Sequence, residues 1–255
     1  MQFQADYTFS KALTNCADCY GNNQTDLASF RSLRDKDLDW RRSNNDQTHR
    51  FVANGLYELP FGKGRAFLNG GNPVIDRIVG DWNLGAIVTW QTRPPFFVAS
   101  NRTTFNSFNS ANNPADLVGI TFEEFKKNLG VYKTPTGVYF INPDLLDITV
   151  NPATGAFVSS KLKPGLMAAP APGTFGNFPM NSLNGPAYFN LDLSLTKRLR
   201  ITENLRLELK TTAINVLNRA SFVYATQNFD ATNFGRITAQ SNNARIVHFE
   251  GRVRF

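Results

Sequence analysis

The chain has 255 residues, of which 42% are hydrophobic and only 18% charged, too apolar for a disordered chain and long enough for one large domain or two small ones. No window holds the run of about 18 apolar residues that a transmembrane helix needs, and the mean hydropathy is −0.30; strands that alternate apolar and polar residues are not excluded by that average. The net charge of +7 is scattered and forms no basic patch, so nucleic acid is not an expected partner, and a solvated surface or a charged barrel lumen accounts for it.

Six segments alternate with period 2, the mark of a strand with different surroundings on its two faces. The first, near 2–11, sets Phe3, Ala5, Tyr7 and Phe9 against Gln2, Gln4, Asp6 and Thr8. The second, 49–59, carries Phe51, Ala53, Gly55, Tyr57 and Leu59 on its apolar side. In the third, 82–91, Trp82, Leu84, Ala86, Val88 and Trp90 oppose Asn83, Gly85, Thr89 and Gln91. The fourth, 187–199, sets Phe189, Leu191, Leu193 and Leu195 against Asn190, Asp192, Ser194 and Thr196. The fifth, 205–215, alternates Leu205, Leu207, Leu209 and Ala213 with Arg206, Glu208, Lys210 and Thr212. The sixth, 245–255, places Val247, Phe249, Gly251, Val253 and Phe255 opposite His248, Glu250, Arg252 and Arg254.

Each segment runs about ten residues, against roughly five or six for strands of soluble domains, and about ten residues tilted by about 45° span a bilayer. Trp82 and Trp90 lie about 26 Å apart at about 3.3 Å per residue. Tilting reduces that to about 20 Å of height, near the apolar band of about 25 Å bounded by aromatic girdles, so both tryptophans are expected girdle residues. Turning the sixth strand over would place Arg252 and Arg254 in lipid at about 2–4 kcal/mol each. With that register Arg206, Glu208 and Lys210 are expected to pair across strands with Glu250, Arg252 and Arg254.

The connections alternate long, short, long, short, long. Nearly forty residues join the first two segments; 60–81 is shorter, with a helical turn expected near 74–79; 92–186 spans about ninety-five; 200–204 is a tight turn; and 216–244 holds about thirty. Short periplasmic turns and long extracellular loops give that pattern in outer-membrane barrels. Within the longest connection, 138–141 and 146–150 are expected to form a hairpin, with Pro164, Pro170, Pro172 and Pro179 marking an irregular return path.

Few residues suggest chemistry. Cys16 and Cys19 are the only cysteines; a zinc site wants a second Cys or His pair, so an exported-loop disulfide is favoured over free thiols. Arg34, Asp35, Asp37 and Asp39 lack the Gly and Glu of a calcium loop and read as a solvated loop. Gly62-Lys63-Gly64 is a turn rather than a phosphate loop. His49 and His248 stand alone, so no catalytic residues, metal site or cofactor are expected. The sequons Asn23-Gln24-Thr25 and Asn101-Arg102-Thr103 carry little weight. No signal peptide precedes the first strand, so the sequence is expected to be the C-terminal piece of an exported protein.

Several segments resemble the C-terminal barrel of TonB-dependent receptors, most of all the Oar-like group with a carboxypeptidase-regulatory-like domain. They are 7–13 (Tyr-Thr-Phe-Ser-Lys-Ala-Leu), His49-Arg50-Phe51-Val52, the run 57–65 through Pro60-Phe61-Gly62-Lys63-Gly64, and Gly80-Asp81-Trp82. Gly173-Thr174-Phe175-Gly176-Asn177, 181–186, 189–195, Asn215-Val216-Leu217-Asn218 and Asn233-Phe234-Gly235-Arg236-Ile237 continue the match in order. The resemblance implies an all-β fold, here about six long antiparallel strands of a meander from a 22-strand transmembrane barrel. It also implies a plug and a TonB box elsewhere, and Gly251, Val253 and Phe255 as the signal read by the barrel-assembly machinery. The expected partners are outer-membrane lipid, that machinery, the TonB complex and an unknown extracellular ligand. The expected function is energised transport of a bulky substrate, with no enzyme activity. The alternative is a soluble extracellular β-sandwich for carbohydrate binding or adhesion, which would need shorter strands and no girdle.

Overall fold

An extended segment must find partners for its backbone N–H and C=O groups on both sides, and the six alternating segments find them in one another. The computed structural model describes residues 1–15, 35–68, 73–100, 102–104, 113–202, 205–224 and 226–255. Strands β1 (Gln2–Phe9), β2 (His49–Glu58), β3 (Trp82–Gln91), β4 (Tyr188–Arg200), β5 (Arg206–Ile214) and β6 (Ile246–Arg254) form one sheet. Every pairing is antiparallel and joins strands consecutive within the sheet, so the topology is a meander with β1 and β6 as its two edges.

The register fixes the faces. Phe3 is opposite Gly55, Ala53 opposite Val88, Leu193 opposite both Ala86 and Ala213, and Leu207 opposite Val253. All the apolar members of the six segments therefore share one side of the sheet. Arg252 lies opposite Glu208, on the other side from Leu207. The apolar side is open: Phe3 is 67% and Phe249 81% exposed, and among the described residues only Ala53 of the sheet's apolar side chains is buried. A β-sandwich would cover that face with a second sheet; the open face removes the sandwich alternative.

The hydrophobic core sits in the connections. Val98, Phe125, Tyr139, Ile141, Phe178, Leu183 and Phe234 are buried together, and almost the whole cluster comes from the second and third long connections. Phe125 and Phe122 each meet Phe178 edge-on at 5.8 and 5.7 Å. Helix α2 (Phe122–Lys127) delivers these two rings and begins at a capping box between Thr121 and Glu124, which satisfies two otherwise orphaned helix-end donors. The third connection is tied in by its backbone, Phe140 N–H donating to Gly235 O at 2.7 Å and Ser160 N–H to Thr232 O at 2.8 Å. We call this packed unit the cap.

Two hairpins organise it, and they differ from the one expected. The strand Gly137–Ile141 pairs back with Leu129–Thr134 and not with Leu146–Val150, which pairs forward with Phe157–Leu162. The reason is local. Asn142 caps the 3-10 turn Pro143–Leu145 by accepting the Asp144 N–H at 3.0 Å, turning the chain away between the two strands. Gly137, at φ +138°, adopts a backbone conformation open to glycine, at the tight turn into its own strand. At the opposite end of the sheet the connections are short: α1 (Pro73–Val79) fills one, and in the other the Ile201 N–H returns to Leu205 O at 3.0 Å.

Gly176 marks the tightest approach in the cap. Its N–H donates to Asn113 Oδ1 at 3.1 Å, and a Cβ there would overlap the Pro114 carbonyl. Gly176→Ala is expected to loosen the cap by about 1–3 kcal/mol while leaving the sheet intact. Limited proteolysis should then cut residues 92–187 faster with the barrel's heat-modifiable gel mobility unchanged; cutting at the wild-type rate would refute this packing account.

Candidate functional site

Three surfaces stand out: the apolar belt, the polar face behind it, and the root of the cap. In the belt, Tyr7 is opposite Phe51, Phe51 opposite Trp90, and Trp90 opposite Phe189. Four neighbouring strands thus place an unbroken aromatic row at the end where the long connections leave. His49 extends it, hydrogen-bonded to the Tyr7 hydroxyl at 2.8 Å and packed against Phe9 at 5.4 Å. Trp82 lies on the same face at the far end of β3, opposite Lys197. Its indole N–H donates to Ile78 O at 3.0 Å.

A cation attends each rim. Lys197 Nζ lies 5.4 Å over the Trp82 ring and donates to Gly80 O, and the Arg219 guanidinium lies 5.3 Å over the Phe189 ring. Long basic side chains adopt this posture where an apolar layer ends and a wet one begins, stem in one and charge in the other.

Gly251, Val253 and Phe255 follow the belt's parity on edge strand β6. Gly251 is opposite Leu209, Val253 opposite Leu207, and Phe255, just past the strand, is fully exposed. On the polar face the expected cross-strand positions hold but the ion pairs differ. Glu208 faces Arg252 on one side and Arg198 on the other, and it bonds Arg198 at 3.3 Å. Arg252 turns to Glu250 of its own strand at 2.9 Å. One carboxylate between two guanidinium groups satisfies only one of them at close range, and at such exposed sites either choice is worth under about 1 kcal/mol. Arg200, Arg206 and Arg254 then form a row of like charge beside a hollow of about 580 Å³.

At the cap's root, Asp46 is the node. Its buried carboxylate accepts from the Ala12 amide at 2.7 Å, from Arg42 Nε and Nη2 at 2.9 and 2.7 Å, and from the Thr48 hydroxyl at 3.1 Å. Arg42 reaches on to Asn184 Oδ1 at 2.7 Å, joining the first long connection to the second. Burial alone would raise the Asp46 pKa, but the Ala12 amide, Arg42 and Thr48 together hold it below the ordinary 3.8.

The remaining sequence candidates have structural roles or lie elsewhere. Asp35 caps the 3-10 turn Lys36–Asp39, and Asp39 is buried 3.8 Å from Arg41. Asn215-Val216-Leu217-Asn218 is a turn clamp: Asn215 Oδ1 accepts from Arg219 N–H at 3.1 Å and Asn218 Oδ1 from Arg245 N–H at 3.0 Å. His248 lies on the polar face opposite Thr212. Cys16, Cys19, Arg34, the sequon at Asn23 and Asn101 of the second sequon are outside the described residues. Sequence reasoning missed the cap's core and the Asp46 node. A signal for the first was present, since ten of the 22 phenylalanines fall between 92 and 187, more than a solvated loop would carry.

Compared with known proteins, residues 1–248 match the family model described as outer membrane beta barrel domain. No curated protein and no solved structure matches the chain.

Two expectations follow from the belt and the node. Leu193→Arg, at the middle of the belt, should lower folding stability in lipid vesicles by about 2–4 kcal/mol, while Thr212→Arg on the polar face should change it little; equal losses in urea titration would mean the faces are misassigned. Asp46→Asn should cost about 3–5 kcal/mol of cap stability, as for a buried pair that loses one partner. Because the folded pKa is depressed, the Asp46 contribution is fully present above pH 3.8 and is lost as pH falls through the lower folded value. Hydrogen exchange at the Ala12 amide, measured from pH 6 downwards, should report that loss in the wild type and none in the variant.

Proposed function

The chain belongs to the outer membrane beta barrel domain family, and on that premise we propose that it forms barrel wall and ligand-capture loops of a TonB-dependent receptor of the Oar-like group. The observation that carries this reading is the cap. Long extracellular loops are general among outer-membrane barrels, but here they pack a core of their own, with Phe125, Tyr139, Phe178 and Phe234 buried. Such a core holds a binding surface in a preorganised shape, which removes part of the ordering cost of capture.

In the proposed orientation the cap faces the outside and the short connections face the periplasm, with the belt in hydrocarbon and its two rims at the headgroups. The polar face, with Arg200, Arg206 and Arg254 at its periplasmic end, borders the interior where a receptor of this kind carries its plug. TonB would act on that plug to move a bulky ligand, and β6 with Gly251, Val253 and Phe255 would be the strand read by the barrel-assembly machinery. The reading assigns binding and passage to the chain, and no bond chemistry or cofactor.

The intact protein in planar bilayers should remain closed, since barrels of about 22 strands hold a plugged lumen, and the periplasmic domain of TonB should retain it on a column. Steady open-pore conductance without TonB retention would sink the receptor reading in favour of a passive porin.

A further inference from the structure

The short connection from β2 to β3 is fastened to one side of the sheet. At its far end the Trp82 indole N–H donates to Ile78 O at 3.0 Å, and the buried Lys197 ammonium donates to Gly80 O. Trp82 and Lys197 lie opposite one another and both carry the parity of the belt. The end of α1 and Gly80 therefore sit on the side of the sheet that meets hydrocarbon, and not over the polar face.

The first half of the connection is locked to the second. Gly62, at φ +104°, comes so close to Gly80 that a Cβ would stand 2.8 Å from the Gly80 Cα. Its turn is closed by the Gly62 N–H on Phe67 O at 3.0 Å and the Phe67 N–H on Pro60 O at 2.9 Å. The Phe61 and Phe67 rings are 6.0 Å apart, and Phe61 continues the parity of Tyr57 and Leu59. Arg65 turns the other way, to Glu58 of the polar face at 2.8 Å. Charge and apolarity separate in this turn as they do in the strands.

The apolar side chains of the connection are uncovered. Ile78 is 62% and Phe67 59% exposed, and Phe61 is exposed beside them. A single exposed apolar side chain is ordinary. Three large ones on a connection hydrogen-bonded to the last rung of an apolar belt carry that belt past its end. Lys63 and Arg77 flank them, exposed and with no carboxylate in ion-pair range among the described residues. Rings and aliphatic chains edged by long basic side chains suit the boundary between acyl chains and headgroups, where each finds its own layer.

We propose that the Phe61–Phe67 turn and the end of α1 form a foot that rests in the phospholipid surface. Phe61, Phe67 and Ile78 enter the acyl boundary, and Lys63 and Arg77 stand at headgroup level. The partner is the leaflet at the end of the sheet with the short connections, the periplasmic one in the orientation proposed above. The inference rests on the barrel family and not on the receptor reading, because any barrel wall with this connection would meet lipid there.

The test is photolabelling of the intact wild-type protein in vesicles that contain a phospholipid with a diazirine high on its acyl chain. Mass mapping is expected to find adducts on Phe61, Phe67 or Ile78 at a yield comparable to that on the exposed belt residue Leu209. Val158, similarly exposed but in the cap, should carry none. Adducts on Leu209 with none on Phe61, Phe67 and Ile78 would overturn the proposal without any variant, as would equal labelling of Val158 and Ile78. Phe67→Ser combined with Ile78→Ser changes only exposed side chains, so heat-modifiable gel mobility should be retained. Loss of two apolar anchors should lower the remaining yield on Phe61 by about fivefold or more, with the Leu209 yield unchanged; an unchanged Phe61 yield would show that these side chains do not seat the connection in lipid. TonB retention does not bear on any of these outcomes.

Discussion

Sliding any strand of the six-stranded sheet by one residue would exchange its two faces. In β6 that exchange would carry Arg252 and Arg254 onto the belt, and in β5 Arg206, Glu208 and Lys210. This parity constraint governs the rest of the molecule. Because side chains alternate strictly along an extended backbone, charge on one face dictates apolarity on the other. Because neighbouring strands pair in register, the choice made in β6 passes through β5 and β4 to β1. The aromatic row Tyr7, Phe51, Trp90 and Phe189 follows from that registration, since each of four strands contributes one of its members.

The same constraint decides where a core can form. A sheet whose apolar face meets hydrocarbon and whose other face is polar has no side left to bury against protein. The connections therefore build their own interior, in which aromatic rings from α2, from the first hairpin and from the third connection close on one another and on aliphatic side chains of the second hairpin. That interior is pinned to the sheet by polar groups: Arg42 and Asp46 at the first connection, and the Asn215 N–H on Asp192 at 2.8 Å at the third. Polar networks of this kind, with several bonds on one carboxylate, fix one arrangement among many.

How much was legible in the sequence follows from the range of each signal. The alternation of Phe189, Leu191, Leu193 and Leu195 with polar neighbours is local and could be read directly, as could the parity of Gly251, Val253 and Phe255. The pairing of Val138 to Ile141 was misjudged because adjacency in sequence suggested Leu146–Val150 as its partner. The cap of Asn142 on the Asp144 amide, a hydrogen bond of two-residue reach, sends the two strands to different partners. The Glu208 pairing differs for another reason: the sequence names the candidates but not which of the two arginines on the flanking strands wins.

The sequence by itself determined the strands, their faces, and the alternation of long and short connections, because each is set by residue spacing along the chain and by the cost of placing charge in an apolar layer. Only the tertiary structure decided the cap. Arg41, Arg93 and Tyr224, which meet at its root, lie in three different connections, separated by 52 and 131 residues of sequence (93 − 41 and 224 − 93), and what brings them together is packing of rings with no common period. A pattern that repeats every second residue survives in one dimension, whereas a core of rings drawn from distant connections exists only once the chain has closed around it.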